Sequence, residues 1–178
     1  MDTYIKNFIE TNIDLIEDRK FKELYRKMVD EGRFRSLGEF TETLLSAGID
    51  PAEGLKILPL GYLVNSSIKY YAVPETVTQL GSYVFANNTE LTEVSLPSKL
   101  TSIGSAAFSR CFNLSSIILP ESLIEIKDQA FYNCRHLKTI KYLGTIAQWE
   151  LIQKEGVAIF THTRTIQCKD GNIDIPRK

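Results

Sequence analysis

The chain of 178 residues carries 21 Lys and Arg against 22 Asp and Glu, a formal net charge of −1, and 43% hydrophobic residues. That balance excludes a protein whose main partner is a nucleic acid or a membrane surface, and no apolar run of about 18 residues offers a spanning helix. Three Cys are too few to staple the fold, and the opening residues lack a basic stretch followed by an apolar one, so a cytoplasmic setting is expected.

Residues 1–50 read as a helical region. Ile5, Phe8, Ile9, Ile13 and Ile16 recur at helical spacing, which predicts a helix over 3–17. Phe21, Leu24, Tyr25 and Met28 predict a second over 19–30, with Gly32 as its C-terminal cap. Ser36-Leu37-Gly38-Glu39 is a capping box that opens a third, which would bury Leu37, Phe40, Leu44 and Leu45 and stop at Gly48. Residues 1–53 hold 12 acids and 8 bases, an imbalance that a solvated helix face explains. These helices could cap the remainder of the chain, self-associate, or bind a partner. Asp50-Pro51-Ala52-Glu53 has an N-cap with Pro at the first helical position, and marks the junction.

From residue 54 to the end the chain reads as a repeat array. Val77–Lys99, Leu100–Ser122 and Leu123–Thr145 are three copies at a period of 23 residues with no insertion. Their apolar columns are Leu80, Ile103, Ile126; Phe85, Phe108, Phe131; Leu91, Leu114, Leu137; Val94, Ile117, Ile140; and Leu96, Leu119, Tyr142. The alternation at the end of each copy marks a half-buried strand, stopped by Pro97 and Pro120. One short coil cannot bury five apolar columns, but stacked coils can, so the unit is a solenoid with an aromatic spine. Residues 54–76 align as a degenerate first copy, with Ile57 matching Leu80, Tyr62 matching Phe85, Ile68 matching Leu91 and Tyr71 matching Val94. Residues 146–178 read as a C-terminal cap: a short helix over 146–153 bearing Trp149 and Ile152, then a hairpin turning at Asp170-Gly171.

The phrase Ile103-Gly104, Ala107-Phe108, Cys111, Leu114, Ile117, Leu119-Pro120 resembles the bacterial BspA-like (Treponema-type) leucine-rich repeat. The third copy keeps Ala130-Phe131, Cys134, Leu137 and Ile140 but replaces the Gly by Lys127 and Leu-Pro by Tyr142-Leu143. The resemblance covers residues 77–145. It implies an α/β fold: a short leucine-rich-repeat solenoid with a parallel sheet, here with an N-terminal helical extension. It also implies a binding role rather than catalysis, and a bacterial or phage source.

Chemistry is sparse. Cys134 and His136 sit close on one turn, but no third orienting group marks a nucleophile pair, and a variable turn position explains them. No spacing suits a metal, and no glycine-rich loop suits a phosphate, so no cofactor is expected. Cys111 and Cys134 share a column with Asn88 and read as a ladder of small buried residues.

Three columns point outward from the strands: Lys69, Thr92, Ser115, Lys138; Tyr70, Glu93, Ser116, Thr139; and Ala72, Ser95, Ile118, Lys141. Solenoids commonly bind through this face. A protein partner is therefore expected around Tyr70, Glu93, Ile118 and Lys141, with no nucleic acid and no membrane. In the alternative, helices in residues 1–50 mediate homo-oligomerisation or block a target, and the repeats serve as scaffold.

Overall fold

The computed structural model describes residues 41–42, 45–46, 48, 50, 52, 56–58, 61–156 and 159–176. The helices expected over 3–17 and 19–30 lie outside them. Thr41, Glu42, Leu45 and Ser46 are helical, and Gly48 ends that turn at φ +78°, its N–H donating to Leu45 O at 2.9 Å. Among the described residues the one bounded α-helix is α1 (Ile146–Leu151), so an N-terminal helical extension is not part of the described fold.

Each coil contributes two short strands on different sides. One side holds β1 (Ile57–Leu58), β3 (Gln79–Leu80), β5 (Ser102–Ile103), β7 (Glu125–Ile126) and β9 (Gln153–Lys154), paired in that order and all parallel. The other holds β2 (Tyr70–Ala72), β4 (Glu93–Ser95), β6 (Ile118–Leu119), β8 (Thr139–Tyr142), β10 (Thr165–Cys168) and the antiparallel β11 (Gly171–Asp174). This second side is in two panels, β2–β4 and β6–β8–β10–β11. A single backbone bond joins them, Ser115 N–H to Thr92 O at 3.4 Å.

Five of the expected inward positions per copy are buried in most copies, and the Phe column stacks. Ring centroids of Phe85 and Phe108 are 5.0 Å apart, and those of Phe108 and Phe131 5.2 Å. Phe160 extends the stack past Phe131 at 5.6 Å. A further buried column, Val77, Leu100 and Leu123, opens each copy. Leu96 is only half-buried, whereas Leu119 and Tyr142 are fully inside.

The third side of each coil is a turn with two left-handed residues. Tyr83, Ala106 and Gln129 hold φ between 53° and 58°, and Asn87, Arg110 and Asn133 between 58° and 61°. These angles let alternate N–H groups point along the stack. Phe85 N–H donates to Ala107 O and Phe108 N–H to Ala130 O, both at 2.8 Å, so the turns bond coil to coil as strands do.

The first coil departs from the expected alignment. Leu58, not Ile57, pairs with Leu80, and Ile57 is exposed. Leu63, not Tyr62, takes the Phe position, since its N–H donates to Val84 O on the pattern of the later coils. Tyr71 does pair with Val94, as aligned. The turn between Ser66 and Lys69 is thus one residue shorter than in the regular copies, which breaks the fixed period. Tyr62 instead packs on Tyr71, ring centroids 6.2 Å apart. Both hydroxyls donate to the Asp50 carboxylate, as does Ala52 N–H at 2.8 Å. Burial raises both phenol pKa values, and the Asp50 charge adds to it.

After Thr145 the chain forms α1, capped by a Thr145–Gln148 capping box, and then one enlarged coil. Trp149 packs edge-on against Tyr142 at 5.3 Å and meets Phe160 at 6.0 Å. Lys154 stands opposite Ile126, where an apolar residue would be expected. Its ammonium donates to Trp149 O and Ile152 O at 2.6 and 2.9 Å and lies over the Trp149 ring, satisfying the carbonyls at the end of α1. The hairpin between β10 and β11 turns at Lys169-Asp170, one residue before the expected Asp170-Gly171, because Gly171 already pairs with Cys168.

Candidate partner-binding face

The outward positions of the second side form the candidate site. Alternation on a strand puts Tyr71, Val94, Ile117, Ile140 and Ile166 inward and their neighbours outward. Tyr70 stands beside Glu93 in register, and Ile118 beside Lys141. All four are exposed, Tyr70 at 53% and Ile118 at 48%, large values for apolar side chains on a strand. The structure therefore places the four on one side of the molecule but in two pairs, one on each panel.

The C-terminal strands widen this face in a way the fixed repeat did not reveal. Thr165 and Gln167 on β10 continue the columns of Thr139 and Lys141, and β11 adds Asn172 and Asp174. Alternation over Thr163 to Lys169 marks the strand in the sequence, but its place beside β8 is not readable there, because the enlarged coil shifts the period. A groove of about 460 Å³ opens here, lined by Lys141, Tyr142, Leu143, Gln167, Cys168, Lys169 and Asn172.

Charge is uneven along the face. Its middle is neutral, with Ser95, Ser115, Ser116 and Ile118. Its far end is cationic. Arg164 N–H donates to Lys138 O at 2.7 Å, which sets those two side by side. Partial burial lowers the His162 pKa, and the positive charges of Lys138, Arg164 and Arg135 lower it further.

The Cys134–His136 pair does not assemble. Cys134 is buried and its thiol donates to Phe108 O at 3.0 Å, while His136 is exposed. Cys111 donates to Phe85 O in the same way, and Asn88 donates to Ser66 Oγ at 2.6 Å with Leu63 O at 3.5 Å. This column therefore serves the backbone of the preceding coil. Among the described residues no cluster of His, Cys, Asp and Glu could hold a metal ion, and no helix is long and apolar enough to cross a membrane.

Two-stranded coils, a stacked Phe column and an outward strand face together define a leucine-rich-repeat solenoid, here of five coils. The family model described as BspA type Leucine rich repeat region matches residues 58–167 in six copies, and the chain belongs to that family. Such repeats generally mediate protein–protein interaction. A comparison with curated proteins returns no match. Among solved structures the chain is similar to a leucine rich cell surface protein from Faecalibacterium prausnitzii A2-165, at 22% identity and a TM-score of 0.48. The match covers 56% of this chain and 33% of that one, so the chain spans about a third of its length.

Proposed function

We propose that the chain is a non-enzymatic module that binds a protein partner through the strand face bearing Tyr70, Glu93, Ile118 and Lys141. The observation that carries this is the exposure of Tyr70 and Ile118 on a rigid sheet whose other outward residues are small or polar. A large exposed aromatic is the side chain that interfaces most often use as an anchor. Fixed strands also hold its backbone in place, so no segment of chain has to order on docking.

The test is affinity capture from the source organism, with the full chain beside a Tyr70→Ala, Lys141→Glu double variant. A partner held by the first and lost by the second supports the reading. A partner kept by the variant but lost on deleting residues 1–50 moves the function to the N-terminal region and overturns it. We also propose a cytoplasmic setting, in keeping with the free thiols of Cys111 and Cys134 on adjacent coils. The solved neighbour is a cell surface protein, and fractionation of the source cells separates the two settings.

A further inference from the structure

At the cationic end of the strand face bases outnumber acids. Lys138, Lys141 and Lys169 are exposed, Arg164 and His162 are half-buried, and Arg135 lies over the Phe112 ring at 4.6 Å. Among the described residues the one ion pair is Lys127–Glu125, on the other strand side. Three acids lie near these cations: Asp174 on β11, its carboxylate 3.4 Å from the Thr165 hydroxyl, Asp170 beside Lys169, which accepts from Ile146 N–H, and Glu121 near Tyr142. An excess of like charge on one surface raises the local potential and attracts an oppositely charged partner.

The groove at the C-terminal ends of β8 and β10, reaching Asn172 on β11, adds shape to this charge. Lys141 and Lys169 supply cations, Gln167 and Asn172 supply amide donors, and the half-exposed Leu143 with Cys168 supplies an apolar wall. Donors around an apolar recess suit a carboxylate carried on a short side chain. The outward positions in register on β8 and β10, Thr139, Lys141, Thr165 and Gln167, are polar, with Lys138 and Arg164 just before the strands and Lys169 just after β10, so cations flank a polar track that suits an extended acidic segment. Polar, small residues continue the face toward Ile118 and could pass such a segment along it.

We propose that the end of the strand face formed by Lys138, Lys141, Arg164 and Lys169 binds an extended acidic segment of a protein partner and seats one of its carboxylates in the groove. This rests on the reading of the face as a docking surface and names the chemistry of what docks. Binding is steered by charge, so it weakens with salt.

The probe is a fluorescein-labelled peptide alternating Asp and Ser around a central Leu, titrated against the full chain and followed by anisotropy. Comparison probes are the Lys counterpart of the peptide, a single-stranded oligonucleotide and a heparin fragment. Binding of the acidic peptide is expected to weaken about tenfold in Lys138→Glu and in Lys141→Glu, and less in Lys141→Gln. Lys99→Glu, on the exposed turn after β4, should leave it unchanged. All these positions are exposed, and unchanged melting curves verify that each variant folds. No binding of the acidic peptide overturns the proposal, as does binding indifferent to both reversals. Equal or tighter binding of the oligonucleotide or of heparin also overturns it, because the face would then answer to any polyanion. Failure here leaves Tyr70-dependent capture of a partner untouched, so the two readings fail separately.

Discussion

Left-handed turns show most clearly what single residues contribute. Asn65, Asn87, Arg110 and Asn133 occupy one turn position, with φ between 57° and 61°. Asn tolerates that region because its short side chain bonds locally, whereas a long side chain there is strained by about 1 kcal/mol. Arg110 is exposed, so its replacement removes no packing. Arg110→Asn should therefore stabilise the fold by roughly 0.5–1 kcal/mol, read as a higher midpoint in urea unfolding with an unchanged slope. The buried thiols carry a second expectation. Burial pushes Cys134 up to about 12 and Cys111 well above its ordinary value, with the neighbouring thiol adding to the latter. Unfolded thiols titrate near about 8.5. Above that pH the unfolded chain binds fewer protons than the folded one, so stability is full below it and falls as pH rises toward the folded value. Melting temperature should drop progressively from about pH 8.5 upward. The Cys111→Ala, Cys134→Ala variant should show a shallower drop. A residual slope is expected from Tyr62 and Tyr71, whose phenols are raised for the same reason.

Strands of two or three residues hold little by themselves, so the elements depend on the columns between them. Phe108 stacks between Phe85 and Phe131, with planes 13° and 2° from parallel. Phe108→Ala leaves a cavity with no flexible neighbour to fill it and should cost about 3–5 kcal/mol, measured by chemical denaturation. Gly104 sits closer still: a Cβ there would lie 2.5 Å from the Gly81 carbonyl carbon, and backbone cannot give way as a side chain can. The same columns explain what was legible beforehand. A Phe in every copy and alternation around Val94, Ile117 and Ile140 mark the spine and the outward face from spacing alone. The β3–β5–β7 side was not legible, because two-residue strands such as Ser102–Ile103 are too short to alternate. The first coil misled at Leu58 and Leu63 because one residue is missing from its turn, and a fixed period has no means to register that. Tyr70, Glu93, Ile118 and Lys141 could be placed on one face, but not the break between β4 and β6, nor the widening by Gln167 and Asn172, which depend on coil-to-coil bonding.

At the scale of the whole molecule, a solenoid is stable only if its end coils are covered. Coupling runs mainly between neighbours, so the cost of baring an end is felt there first. At the start, Glu42 accepts hydrogen bonds from Ser67 N–H and its hydroxyl, and Leu45 packs on the core. At the other end Ile166 lies opposite Ile140, and the Thr163 hydroxyl donates to Leu137 O at 3.0 Å. Deleting residues 163–178 would expose Ile140 and leave β8 as a bare parallel edge, ready to pair with other chains. Deleting 171–178 alone would remove β11 with its half-buried Ile173, and the half-buried Ile175 after it, and leave β10 over Ile140. The longer truncation should lose several kcal/mol, since one fully buried Ile is itself worth about 1.5–3 kcal/mol, and should aggregate in light scattering. The shorter one should lose less and stay monodisperse under the same conditions. Hydrogen exchange then distinguishes a chain of coupled coils from a single block. In the longer truncation, amides of β7 and β8 should lose protection while Phe85 and Leu63, bonded in the first coils, keep theirs. Uniform loss along the stack would mean that the five coils unfold as one unit, and that the covering of either end stabilises the whole face on which Tyr70 and Lys141 stand.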